Sequence, residues 1–180
     1  CAAKIKKKNG YSATGISEIL RQTDLPKGSF YFYFKSKDDL ATAVTEYYQK
    51  ILLEQFQKSS QKNNWKSFIE EIFDFLSERT NGHTFAGCPY AVMGMETALS
   101  KPALASVFME GLKEIEQIFQ EVLLYSGLPP EHAKILSQRM LSIYQGYLLI
   151  GRISDNTSCL KNARKNMIEV YWEYRSYHGI

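Results

Sequence analysis

Between Lys27 and Lys37 the chain reads Lys-Gly-Ser-Phe-Tyr-Phe-Tyr-Phe-Lys-Ser-Lys, so that cations, hydroxyls and aromatic rings crowd into one short stretch. Ammonium groups neutralise phosphates, and hydroxyls donate to phosphate oxygens or to base edges, so this set suits contact with DNA. Catalysis asks for other arrangements. The chain contains no HExxH, no GxSxG, no phosphate-binding glycine loop and no paired ExxH, and His83, His132 and His178 show no ligand-like spacing. Cys1, Cys88 and Cys159 are odd in number, widely separated and without a CxxC, which suggests neither a disulfide framework nor a zinc site. His83 and Cys88, five residues apart, raise a metal or thiol-sensing alternative, but a structural or solvent role is the preferred reading for both. The expectation is no catalytic residue, no metal and no cofactor, with an all-α enzyme as the remote alternative.

The elements that must position these side chains are two short helices joined by a turn at Thr23-Asp24-Leu25. In the first, Ile16, Ile19 and Leu20 take the i, i+3, i+4 spacing of an inward stripe, while Ser17, Glu18, Arg21 and Gln22 face out. Gly15 can cap it, with Glu18 three positions on. The second opens near Pro26, turns Phe30 and Phe34 inward and leaves Lys27, Ser29, Tyr31, Tyr33 and Lys37 for contacts elsewhere. Charge segregates in the same way: residues 1–37 carry +6, the remainder −3, within a net charge of +3. A lysine run such as Lys6-Lys7-Lys8 alone would be a solvated face. Beside a helix-turn-helix it becomes an electrostatic footprint for phosphate.

The pattern G-Y-x-x-T-x-[IV]-x-x-I from Gly10, then a turn, then K-G-S-F-Y-x-Y-F-x-S-K-x-x-L ending at Leu40, resembles the N-terminal domain of TetR/AcrR transcriptional regulators. That resemblance implies an all-α fold in which the second helix lies in a DNA major groove. It implies DNA-facing roles for Thr14, Ser17, Lys27, Gly28, Ser29, Tyr31, Tyr33 and Lys37, with Lys37 on a phosphate. Two positions depart from the pattern: Asp24 stands where the turn usually has Gly, and Pro26 where a Ser-like cap is usual. Asp tolerates left-handed backbone and Pro suits a helix start, so the motif survives both.

Elsewhere the periodicity predicts about nine helices and no strand. The first would run through Ala2, Ala3 and Ile5 to a stop at Asn9-Gly10, and the resemblance implies further turns upstream of Cys1. Ser36-x-x-Asp39 is a capping box for a helix from Lys37 to about Phe56, roughly 30 Å long. Polar residues from Gln57 to Asn64 predict a break. Trp65 opens the next helix, followed by a loop from Arg79 to Thr84, a helix from Gly87-Cys88-Pro89 to Leu99, and another from Pro102 to Tyr125. The last two run from about 131 to 152 and from 158 to 174. The division expected is a helix-turn-helix domain over residues 1–48 and a larger helical domain over 49–180. No apolar run is long enough to span a membrane and no signal peptide is read, so a cytoplasmic protein is expected.

For the larger domain the resemblance implies a small-molecule pocket and a dimer interface on the last two long helices. Gly87-Cys88-Pro89 with Glu96-Thr97-Ala98-Leu99-Ser100 and Pro102 resembles a branch containing drug-responsive repressors. The ligand-binding candidates are Trp65, Phe73, Tyr90, Met93, Met95, Phe108, Tyr144 and Tyr147, although rings and methionines at helical spacing are more often core. Gly146 and Gly151 place small residues where a partner helix could approach, or where neighbours within the subunit pack. The function expected is a homodimeric repressor released from a double-stranded DNA operator by a small hydrophobic or aromatic ligand. The alternative is a constitutive repressor or an activator with no small-molecule ligand.

Overall fold

The structure, a computed structural model, describes residues 15–24, 26–61, 63–80 and 85–180. Among these residues there are eight helices and no strand: α1 (Ile16–Thr23), α2 (Lys27–Tyr33), α3 (Lys37–Ser60), α4 (Trp65–Thr80), α5 (Pro89–Thr97), α6 (Pro102–Tyr125), α7 (Pro130–Ser154) and α8 (Ser158–His178). The helix expected before Asn9-Gly10, and Thr14 and His83, lie outside the described residues.

Two compact units form. The first contains the chain through Ile51 together with Pro89–Gly111, and the second contains Leu52–Cys88 and Leu112–Ile180. This differs from a division after residue 48, because α5 and the first half of α6 join the N-terminal helices. The side chains responsible are Ala41 of α3, Met93 of α5 and Phe108 of α6, which form one buried cluster with Leu104 against it. Lys101, just before α6, adds an ion pair to Asp38 in the first turn of α3, at 2.5 Å. Gly111 is required here for close approach: a Cβ would lie 2.3 Å from the Tyr90 ring.

The second unit has an aromatic centre. Phe119 of α6 meets Trp65 at 5.5 Å, Phe68 at 5.9 Å, Tyr144 at 6.0 Å and Phe56 at 6.1 Å between ring centroids. Most of these contacts are edge-to-face, the arrangement that the ring quadrupole favours. Trp65 is fully buried, and its indole N–H donates to the Met167 carbonyl of α8 at 3.0 Å. Arg164 of α8 reaches Asp74 of α4 at 2.8 Å.

The connector before α5 is fastened to α7. Asp155 accepts from the Phe85 N–H at 2.9 Å, Arg152 donates to the Ala86 carbonyl at 2.6 Å, and Gln145 donates to Cys88 Sγ at 3.5 Å. Gly151 serves this packing: a Cβ there would lie 2.2 Å from Cys159 Sγ and 2.8 Å from the Phe85 ring. Its small size is therefore used within the subunit, which corrects its reading as a landing place for a partner helix. Gly146 has no atom within 4 Å of a built Cβ and stays open.

The two boundaries that differ most from expectation are the ends of α3 and α8. The polar run from Gln57 does not break the helix at once; α3 continues to Ser60 because Ser59 is buried and accepts from Gln55 at 3.0 Å. The last helix runs on to His178, where Gly179 with φ 68° ends it. This extension brings His178 against His132, with ring centroids 4.8 Å apart, and His132 Nδ1 lies 2.9 Å from the Tyr174 hydroxyl. Two histidines that look scattered along the chain thus meet, though no group of three or more His, Cys, Asp or Glu capable of holding a metal occurs among the described residues. Among the described residues, no helix is long and apolar enough to cross a membrane.

Candidate nucleic-acid interface

The helix-turn-helix is built on Ile19, Phe30 and Leu40, with Ile16, Leu20, Phe34 and Val44 packed around them. One residue comes from each of α1, α2 and α3, so this small core fixes the angle at which α2 is presented. Asp24 adopts left-handed backbone at φ 52° and its N–H donates to the Leu20 carbonyl, which closes α1 and turns the chain. Pro26 precedes α2 at φ −60°, and its carbonyl accepts from the Ser29 N–H at 3.0 Å. Both departures from the sequence pattern are thus accommodated by the backbone they occupy.

The start of α3 is fixed by a reciprocal cap. Ser36 Oγ accepts from the Asp39 N–H at 3.1 Å, and the Asp39 carboxylate reaches back to the Lys35 N–H at 2.9 Å. Each side chain satisfies an amide that helix geometry would otherwise leave without a partner.

Opposite the buried face, α2 presents Lys27, Gly28, Tyr31, Phe32 and Tyr33 to solvent; Tyr31 is 50%, Tyr33 72% and Phe32 81% exposed. Ser29 and Lys37 are half-buried, and Ser17 on α1 is exposed. The rings lean on their neighbours: Tyr31 is edge-on to Phe30 at 5.1 Å, Phe32 is edge-on to Tyr33 at 4.9 Å, and Lys27 Nζ lies 6.0 Å from the Tyr31 ring centre. On α1, Arg21 is engaged by Glu18 at 2.8 Å; this hydrogen bond and then the opposite charge raise the guanidinium pKa above its ordinary value. The described part of the sequence-predicted set is therefore gathered on and beside α2. Phe32 was missed. Its signal was available, because a residue two steps from both Phe30 and Phe34 must lie on the opposite side of the helix.

The ligand-binding candidates fall in two groups. Trp65, Phe73, Tyr144 and the half-buried Tyr147 belong to the second unit; Tyr90, Met93, Met95 and Phe108 belong to the first. Trp65, Phe73 and Tyr144 pack on other rings, with Phe73 6.1 Å from Tyr144. Tyr90, Met93 and Phe108 are buried, whereas Met95 is 57% exposed and stands apart from them. A groove of about 400 Å³ lies at the α7–α8 face, lined by Arg139, Glu173, Tyr174, Tyr177 and His178.

Comparison with known proteins agrees with this geometry. Residues 2–44 match the family described as bacterial regulatory proteins of the tetR family, and residues 65–166 match the transcriptional regulator LmrA/YxaF-like C-terminal domain. The uncharacterized HTH-type transcriptional regulator YxaF of Bacillus subtilis is 29% identical over 154 residues, covering 83% of this chain and 80% of that protein. The HTH-type transcriptional repressor NemR of Escherichia coli is 24% identical over 168 residues, covering 86% and 81%. The crystal structure of a TetR transcriptional regulator from Legionella pneumophila superposes with a TM-score of 0.84 at 20% identity, covering 94% of this chain and 92% of that one.

Proposed function

Since the chain belongs to the TetR family of DNA-binding transcriptional regulators, with an LmrA/YxaF-like C-terminal domain, we propose that it is a homodimeric repressor whose α2 helices read an operator and which a small hydrophobic or aromatic ligand releases. The observation that carries the DNA assignment is the outer face of α2, where Tyr31, Phe32 and Tyr33 stand in solvent beside Lys27. Burying such rings in the protein would be worth about 1.5–3 kcal/mol each, so their exposure fits a surface that DNA completes. Thr14, Ser17, Lys27, Ser29, Tyr31, Tyr33 and Lys37 supply phosphate and base-edge contacts, and Gly28 allows close backbone approach. Repression follows the relative named a transcriptional repressor.

Dimerisation rests on the outer face of α7 and α8. Ile135, Ile150 and Ile153 are exposed on α7, Gly146 is open between them, and Trp172 and Tyr177 are exposed on α8. Two-fold operators present their half-sites about 34 Å apart, one turn of DNA, so a two-fold dimer offers one reading helix to each. In the release step, α5 is the helix on which a ligand acts. It shares a compact unit with α2, through Met93 on Ala41 and Phe108, so displacing α5 displaces the reading helix. To weaken operator binding a hundredfold, the ligand must prefer the incompetent state by about 2.7 kcal/mol.

The close ring packing of Trp65, Phe73, Phe119 and Tyr144 favours a second reading, a repressor that responds to no small molecule. One experiment separates the two. Operator sequences selected from a random duplex library are titrated with the full chain, and apolar and aromatic compounds are then screened for release. Release at saturable concentration supports the sensor; specific binding that no compound weakens supports the constitutive repressor.

A further inference from the structure

Phe32 has no place in the helix-turn-helix core. At 100° per residue it lies about 200° from both Phe30 and Phe34, and it is 81% exposed. Apart from Gly28, which has no side chain, its neighbours on the outer face each carry a polar group: Lys27 an ammonium, Tyr31 and Tyr33 hydroxyls. A phenyl ring carries none and can serve neither a phosphate nor a base-edge hydrogen bond. In the major groove the apolar feature of the base edges is the 5-methyl group of thymine, a known partner of apolar side chains including Phe. From these observations, and resting on the reading of α2 as the DNA-contacting helix, we infer that Phe32 is a specificity residue whose ring packs on a thymine 5-methyl group in each half-site.

The surroundings suit that task. Tyr33 meets the Phe32 ring edge-on at 4.9 Å and so limits its freedom before DNA arrives. Side chains on a helix lean toward its N-terminus, which carries the Phe32 ring toward Gly28, one turn earlier. A Cβ built on Gly28 meets nothing within 4 Å, so the space beside the ring is open to an incoming methyl group. Glycine thus clears the approach that the ring needs. The two-fold arrangement doubles the contact, once per half-site.

The test uses deoxyuridine, which keeps the pairing and the O4 acceptor of thymine and lacks only the methyl group. An operator is selected from a random duplex library with the full chain, and each thymine is replaced in turn by deoxyuridine in both half-sites. Loss of one methyl contact per half-site is expected to weaken wild-type binding about ten- to twenty-five-fold in total, from roughly a three- to fivefold effect at each. Phe32→Ala should bind the thymine and deoxyuridine operators equally, and Phe32→Leu should keep part of the discrimination. Because the side chain is exposed, both variants should unfold with the wild-type midpoint. The inference is overturned if no deoxyuridine weakens the wild type, or if Phe32→Ala shows the same penalty. A chain that selects no sequence overturns the DNA-reading role of α2 as well, whereas selection without a methyl penalty overturns the role of Phe32 alone.

Discussion

Aromatic rings sit in opposite solvents in two regions of this molecule. Phe56, Trp65, Phe68, Phe119 and Tyr144 pack edge to face at the centre of the second unit and are almost wholly removed from water. Tyr31, Phe32 and Tyr33 stand in water on α2, although Phe30 on the same helix and Phe34 at its C-cap already provide its attachment to the core. The two regions therefore separate what a ring does for folding from what it does for binding. In the first, removing a ring leaves a cavity. In the second, it leaves the protein intact and the partner without a contact.

Substitutions can break or sharpen that contrast. The largest effect is expected for Trp65→Ala, which removes a fully buried ring and the hydrogen bond to Met167; urea unfolding should show a loss of about 3–5 kcal/mol. Next is Gly151→Ala, whose methyl would overlap Cys159 Sγ and the Phe85 ring. Overpacking there should cost about 1–3 kcal/mol, read as a lowered urea midpoint. Gly146→Ala, five residues earlier in an open position, should raise that midpoint slightly, by about 0.5–1 kcal/mol of helix propensity, and weaken self-association, measured by sedimentation. A monomeric wild type would remove the dimer from the account. Lys37→Ala should weaken all duplexes alike and lower the salt slope by about one, whereas Tyr33→Ala should alter sequence preference. The smallest effects are those of single alanines at Tyr31, Phe32 and Tyr33 on stability, expected within about 0.5 kcal/mol.

Local chemistry made much of the helix-turn-helix legible. Ser36 and Asp39 announce their cap by spacing, and Asp24 tolerates the left-handed turn that a glycine would otherwise fill. The inward placement of Ile19, Phe30 and Leu40 follows from helical periodicity. What the chain hides are facts decided across sequence distance. Ser59 looks like part of a break and is instead buried in α3, because tertiary packing overrides the preference of a polar run for loop. Gly151 looks like a contact point for a second chain until Phe85 and Cys159 are seen against it. The membership of α5 in the first unit depends on Met93 and Phe108 meeting Ala41, three residues from three helices. For the site itself, residue types were enough to place Lys27, Tyr31 and Tyr33 on the outer face, whereas Phe32 carries no polar group and is marked only by its position on the helix.

The most direct test of α2 as the reading surface is the unfolding midpoint and operator affinity determined together for the triple variant Tyr31→Ala, Phe32→Ala, Tyr33→Ala. The prediction is a midpoint close to wild type with operator affinity reduced at least about a thousandfold, to the level of unrelated duplex. A folded variant that binds the selected operator as tightly as wild type would contradict the assignment of α2 as the reading surface.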